Sequence, residues 1–216
     1  MSLKVHGHPL SSYCWKVFVA LAEAGLTYET VLVDLADPEA SERFRRLSPF
    51  GMMPVLEDPA NGVSTPEATV IIQHLARSYP SAAHLVPQGP DALDVAFWDR
   101  VFDLHVQNHL QRVVGDRLRA AEVRDPFGVA QWKASLTRAY EVVEARMTGR
   151  EWVAGGFTLA DCAACPALHY ANRIVPIGSE FPNTAAYLAR LEARPSFAAV
   201  LEAARPYAHF FPQEPA

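Results

Sequence analysis

The hydrophobic periodicity of this chain changes once, near residue 80, and that change limits the architectures open to it. Up to Ser78, short apolar runs alternate with segments of helical period, whereas from Ala92 onward only the helical period recurs. A chain of this kind places a mixed α and β module ahead of a purely helical one. The stretch between them, residues 79–91, holds three prolines and a glycine and reads as a linker. The expected division is therefore residues 1–78, a linker over 79–91, and a helical domain over 92–216.

Leu3 to Gly7 reads as a strand. Tyr13 to Ala24 follows with Val17, Phe18, Leu21 and Ala24 at helical spacing, stopped by Gly25. Tyr28 to Leu35 is rich in strand-favouring residues, and Pro38 to Leu47 reads as a helix with Asp37 as its N-cap and Pro38 at its first position. Pro54 to Asp58 and Val63 to Thr65 flank Asn61-Gly62, a turn signal for an antiparallel hairpin. A helix from Glu67 to Ser78 closes the module. The order βαβαββα requires a parallel start that turns antiparallel at the hairpin, which is the order of a thioredoxin-like module. Beyond the linker, helices are expected over 92–121, 129–147, 159–174, 184–192 and 197–204, with an irregular tail in which Phe210 and Phe211 fold back.

Half of the residues are apolar, so 216 residues can bury a sizeable core. Nineteen Lys and Arg against 24 Asp and Glu give a net charge of −5, which supplies no overall positive field for nucleic acid or anionic lipid. The N-terminal residues lack the apolar core of a signal peptide and no run approaches the ~20 residues of a membrane span. Three cysteines are too few for a disulfide scaffold and fit a reducing compartment. A cytoplasmic protein without nucleic-acid or membrane partners is the expectation.

Four stretches carry a resemblance to the cytosolic glutathione transferases across essentially the whole chain. The run from His8 to Val17, HPLSSYCWKV, resembles the Ser-x-x-Ser/Cys-x-Lys/Arg-Val start of the first helix in serine-type members and is nearest to the zeta-class version. Ser48 to Leu56 resembles the Asn-Pro-x-Gly-x-Val-Pro-Val-Leu loop. Pro66 to Leu75 resembles the Glu-Ser-x-x-Ile helix start, and Gly156 to Ala163 resembles the capping segment of the helical domain.

On the residues alone, Ser11 and Ser12 read as helix N-caps. A helix N-terminus also favours an anion, and a thiolate is one. The resemblance implies that Ser11 stabilises the glutathione thiolate, with Ser12 as the neighbouring alternative. It implies a cis peptide at Met53-Pro54, whose turn presents backbone groups to the glutathione cysteinyl unit. It also places Glu67 and residue 68 at the γ-glutamyl group. Two departures stand out: Ala68 replaces the usual serine and Met52 a usual Lys or Gln, each removing a polar contact. Cys14 stands three residues after Ser11, so the sequence has Ser-x-x-Cys where disulfide exchange needs Cys-x-x-Cys; the attacking thiol is missing. His6 and His8 read as satisfied polar groups.

Thr158-Leu-Ala-Asp161 fits a capping box. Cys162, Cys165 and His169 fall short of the four ligands of a structural zinc site and read as core positions, so no metal is expected. The resemblance implies that the first long helix of the second domain walls the electrophile pocket, with Phe102, His105 and His109 as the expected residues. The resemblance implies glutathione as co-substrate, a small electrophile as second substrate, and a homodimer, for which Phe50, an apolar residue in a loop beside the expected site, is a further motive. Two alternatives accompany conjugation. One is glutathione-dependent isomerisation of a maleyl-type diacid, with Arg112 or Arg173 holding a carboxylate. The other is a noncatalytic binding or scaffold role.

Overall fold

The computed structural model describes residues 2–214. The N-terminal module is a thioredoxin-like domain with four strands, β1 (Leu3–Gly7), β2 (Tyr28–Leu32), β3 (Val55–Asp58) and β4 (Val63–Pro66). Their spatial order is β2-β1-β3-β4, with β2 parallel to β1 and the other two pairings antiparallel. Helices α1 (Ser12–Glu23), α2 (Pro38–Arg45) and α3 (Ala68–Ser78) complete the module. Alternation along β1 turns Leu3, Val5 and Gly7 inward. Gly7 is required where it stands, because a Cβ there would lie 2.5 Å from the Cys14 sulfur on α1.

Helix α1 is buried at nine of its twelve residues. The reason is that it is covered on both sides, by the sheet and α3 on one and by the helical domain on the other. Helix α2 lies on the opposite face over a small separate cluster of Val33, Phe44 and Val55. Asp37 caps α2 through the Glu39 amide at 3.1 Å. The expected linker is partly ordered: Pro80–Leu85 forms a 3-10 turn whose Ala82 and Leu85 are buried, which a reading by periodicity misses because one short turn has no repeat.

The helical domain comprises α4 (Ala92–Val101), α5 (Asn108–Arg117), α6 (Pro126–Met147), α7 (Leu159–Ile174), α8 (Pro182–Ala193) and α9 (Pro195–Ala204). The single helix expected over 92–121 is instead two α-helices joined through a π-helical segment, Phe102–Gln107. Helix α7 starts at the expected box, where Asp161 accepts from the Thr158 amide at 3.0 Å and also from the Val153 amide and the Tyr187 hydroxyl. Asp161 is fully buried, and burial pushes its carboxyl up. Among the described residues, no helix is long and apolar enough to cross a membrane.

Candidate active site

Strand register gathers three segments at one edge of the sheet. Val55 of β3 stands opposite His6 of β1, and Pro66 of β4 stands opposite Val55. Because both pairings are antiparallel, the end of β1, the start of β3 and the end of β4 coincide. Ser11, Pro54 and Glu67 therefore converge although the chain separates them widely. The Met53-Pro54 peptide is cis. Glu67 has φ 73, and among the described residues no other residue except glycine has a positive φ. Holding such a conformation costs on the order of 1–3 kcal/mol and is concentrated at ligand-clamping positions. The Glu67 side chain makes no capping bond to its own helix, so its carboxylate is not spent on folding α3.

Ser11 is the N-cap of α1. Its side chain accepts from the Cys14 amide at 3.3 Å and its carbonyl from the Trp15 amide at 2.9 Å. The hydroxyl proton of Ser11 is thereby left to donate. Cys14 is fully buried, and burial pushes its thiol up to about 11, with a smaller opposing effect from Ser11. It is a core sulfur and not a nucleophile at neutral pH.

Beside Ser11 opens a cavity of about 240 Å³. One wall is polar, made by Ser11, Ser12, Gln107 and Gln111; the rest is Leu10, Leu110, Val114, Leu118, Tyr170 and the tail segment Phe210 to Pro212. The tail is fixed there by stacking and charge. Phe211 stacks on Tyr170 with centroids 5.3 Å apart, and Tyr170 stacks on Trp15 at 4.6 Å. Arg117 donates to the Pro212 carbonyl at 3.0 Å, and Glu214 pairs with Lys133 at 2.7 Å. Phe211 folds back as expected, whereas Phe210 remains 64% exposed.

One turn along α1 from Ser12, the domains are joined by charge. Lys16 is 1% exposed, and its Nζ donates to Asp99 at 2.5 Å, Asp103 at 2.8 Å and Thr69 at 2.8 Å. Arg100 closes the cluster on the same two carboxylates and on Thr69. Thr69 lies in the first turn of α3, so this cluster ties the Glu67 corner to the helical domain.

Two family models match the chain, a glutathione S-transferase N-terminal domain over residues 5–83 and a glutathione S-transferase C-terminal domain over residues 129–195. Glutathione S-transferase F7 of Arabidopsis thaliana is 30% identical over 212 residues, spanning 92% of this chain and 99% of that protein. The chain belongs to the glutathione S-transferase family. Among solved structures, a glutathione S-transferase of Methylobacillus flagellatus with GSH bound is 28% identical with a TM-score of 0.84, covering 92% of this chain and 98% of its own. Glutathione transferase URE2P8 of Phanerochaete chrysosporium, with oxidized glutathione, is 25% identical with a TM-score of 0.86, covering 96% and 97%.

In this transferase the expected electrophile-pocket residues do not reach the cavity beside Ser11. Phe102 is fully buried in the core. His105 and His109 line a different groove, between α4 and α6, together with Phe97 and Val101. Phe97, Val101, His105 and His109 recur every four residues on one face, while Gln107, Leu110, Gln111 and Val114 recur at helical spacing on the neighbouring one. Gln107, Leu110, Gln111 and Val114 meet the cavity in place of the expected set. A count at 3.6 residues per turn finds both faces but does not tell which of them meets the cavity. The two departures also have places: Ala68 is buried at the first position of α3, and Met52 is 59% exposed. Cys162 and Cys165 are buried within α7, and His169 is bonded to Glu192 at 2.7 Å.

Proposed function

We propose that this transferase conjugates the glutathione thiolate to a small electrophile held in the cavity beside Ser11. The observation that carries this reading is the convergence at one sheet edge of the Ser11 N-cap, the cis Met53-Pro54 turn and Glu67 at positive φ. Ser11, or Ser12 beside it, donates to the sulfur. Met53 and Pro54 present backbone to the cysteinyl unit, and Glu67 and the free amides at Ala68 receive the γ-glutamyl group. The zeta-like run from His8 to Val17 supports a serine as the donor. Lowering a thiol by ~2 pKa units requires about 2.7 kcal/mol. A hydrogen bond to a charged sulfur supplies about 1.5–3 kcal/mol and a helix end about 0.3–1 kcal/mol, which together suffice.

Ser11→Ala is expected to raise the midpoint of thiolate absorbance in the glutathione complex and to lower turnover by about 10–100-fold, with a smaller effect for Ser12→Ala. An unchanged midpoint in Ser11→Ala would remove Ser11 from the mechanism. Isomerisation of a maleyl-type diacid is disfavoured because, among the described residues, no charged side chain lines the cavity; Arg173 is stacked over Phe211 at 4.0 Å and Arg112 lies over Trp132 at 5.8 Å. The loss of polar contacts at Ala68 and Met52 favours a second reading, a noncatalytic scaffold. Millimolar glutathione separates the two, since a ligand that binds only the folded state raises the melting temperature.

The active form in this reading is a homodimer. Phe50 is 79% exposed in the loop ahead of β3. The groove lined by Phe97, Val101, His105 and His109 is likewise uncovered within the chain, and a two-fold pairing covers both patches. Light scattering at micromolar concentration should return a particle of about 48 kDa, twice the 23.8 kDa chain. A 23.8 kDa particle would overturn the dimer.

A further inference from the structure

Ser12 adjoins Ser11 but is engaged differently. It is 4% exposed and lines the cavity. Its Oγ accepts from Gln107 Nε2 at 2.7 Å and from Gln111 Nε2 at 3.3 Å. A serine hydroxyl has two lone pairs and one proton. Both lone pairs are therefore occupied, and among the described residues no acceptor takes the proton. Gln107 is 2% exposed, and its Oε1 is buried without a partner. Turning that amide over would give the Ser12 proton to Oε1 but leave the Gln107 Nε2 protons unpaired. With the amide as it stands, the Ser12 proton is the uncommitted donor on the polar wall of the cavity.

We propose that Ser12, held by Gln107 and Gln111, is a second catalytic hydroxyl that donates to the oxygen of a small, uncharged α,β-unsaturated carbonyl substrate. The proposal rests on the reading that the glutathione sulfur stands at Ser11. The sulfur bonds to the β-carbon, the C=C pair moves toward the carbonyl carbon, and the C=O pair passes to oxygen as an enolate. Ser12 donates to that oxygen. Its O–H is polarised by the two amide donors it already accepts from. Water then supplies a proton to the α-carbon, which restores the carbonyl, and the product is a neutral thioether. The proton balances the one lost when the thiol ionised, and no oxidant or reductant takes part.

Three features select this substrate. The cavity, at about 240 Å³, lies below the ~300–1,000 Å³ of drug-sized sites. Among the described residues no charged side chain lines it, so a carboxylated electrophile finds no counter-charge there. An unsaturated carbonyl has its oxygen three bonds from the carbon under attack, and the two serines are sequence neighbours whose Cα atoms are ~3.8 Å apart. Sulfur and oxygen are thus served by adjacent side chains.

The test compares trans-2-hexenal with benzyl chloride, each with glutathione, in wild type, Ser12→Ala and Gln111→Leu. In benzyl chloride the charge departs on halide and no oxyanion forms. The ratio of kcat on hexenal to kcat on benzyl chloride should fall about 10–100-fold in Ser12→Ala, less than the roughly 100–1,000-fold lost with a donor of a water-excluded oxyanion hole because this cavity is open to solvent. In Gln111→Leu the ratio should fall about 3–10-fold, and this exposed position changes without disturbing the core. The thiolate midpoint of bound glutathione should stay within 0.3 of a pH unit of wild type in Gln111→Leu. An unchanged ratio in both variants, with a thiolate band present in wild type, overturns the role of Ser12 alone. No thiolate band in wild type overturns the glutathione reading and this proposal with it.

Discussion

The seam between α1 and the helical domain has two ends one helical turn apart, and they are built on opposite principles. At Lys16 the groups are charged, buried and mutually satisfied: three protons of one ammonium meet two carboxylates and a hydroxyl, and Arg100 balances the second negative charge. At Ser11 and Ser12 the groups are neutral and retain hydrogen-bonding capacity. A buried charge without partners is too unfavourable to persist, so the charged end fixes geometry. An unpaired neutral donor is tolerable, and the neutral end can hold capacity in reserve for a ligand. The charged end holds the two domains in register, so the neutral end stays in place while it waits.

The contrast is broken most severely at its charged end. Lys16→Met leaves Asp99 and Asp103 with Arg100 alone and should destabilise the protein by about 3–5 kcal/mol, as measured by chemical denaturation. A loss below about 1 kcal/mol would show that the cluster is not what holds the seam. Sharpening the neutral end is a smaller change. Ala68 lies between Glu67 and Thr69, at the corner where the proposed site takes the γ-glutamyl carboxylate. A hydroxyl there gains a hydrogen bond to a charged group, and partial solvation holds the gain near the low end of ~1.5–3 kcal/mol. Ala68→Ser should therefore tighten glutathione about 10-fold in calorimetric titration. Equal affinities in wild type and variant would mean that glutathione does not lie at this corner, and the scaffold reading would then stand ahead of the enzyme.

Much of the fold was legible in the chain because its signals are local. Asp37 followed by Pro38 marks the start of α2, Asn61-Gly62 marks the hairpin between β3 and β4, and Thr158 with Asp161 marks the start of α7. Each is a cap or a turn whose chemistry spans four residues or fewer. The site was legible only in part. Ser11, Pro54 and Glu67 were reached through the resemblance, whereas the cavity wall from Gln107 to Val114 was missed because periodicity gives the faces of a helix and not which one meets a cavity completed by the distant tail. Lys16 shows the same limit. In the sequence it is one basic residue of an apolar helix, and nothing nearby reveals that its partners stand 83 and 87 positions away.

What the sequence determined by itself is therefore the order of elements, the division into a mixed module and a helical one, the caps that start the helices, and the absence of a second redox cysteine at Ser11. Those follow from side-chain period, backbone preference and residue identity, which act over a few residues. The tertiary structure alone decided how Ser11 and Ser12 are bonded, which residues wall the cavity, that the tail lines it, and that Glu67 is held at positive φ. Those depend on contacts such as Gln107 with Ser12, 95 positions apart, and Tyr170 with the Leu10 carbonyl, 160 positions apart. Such contacts form only once the strands and helices have packed, because the packing sets the distance between groups that the chain itself leaves far apart.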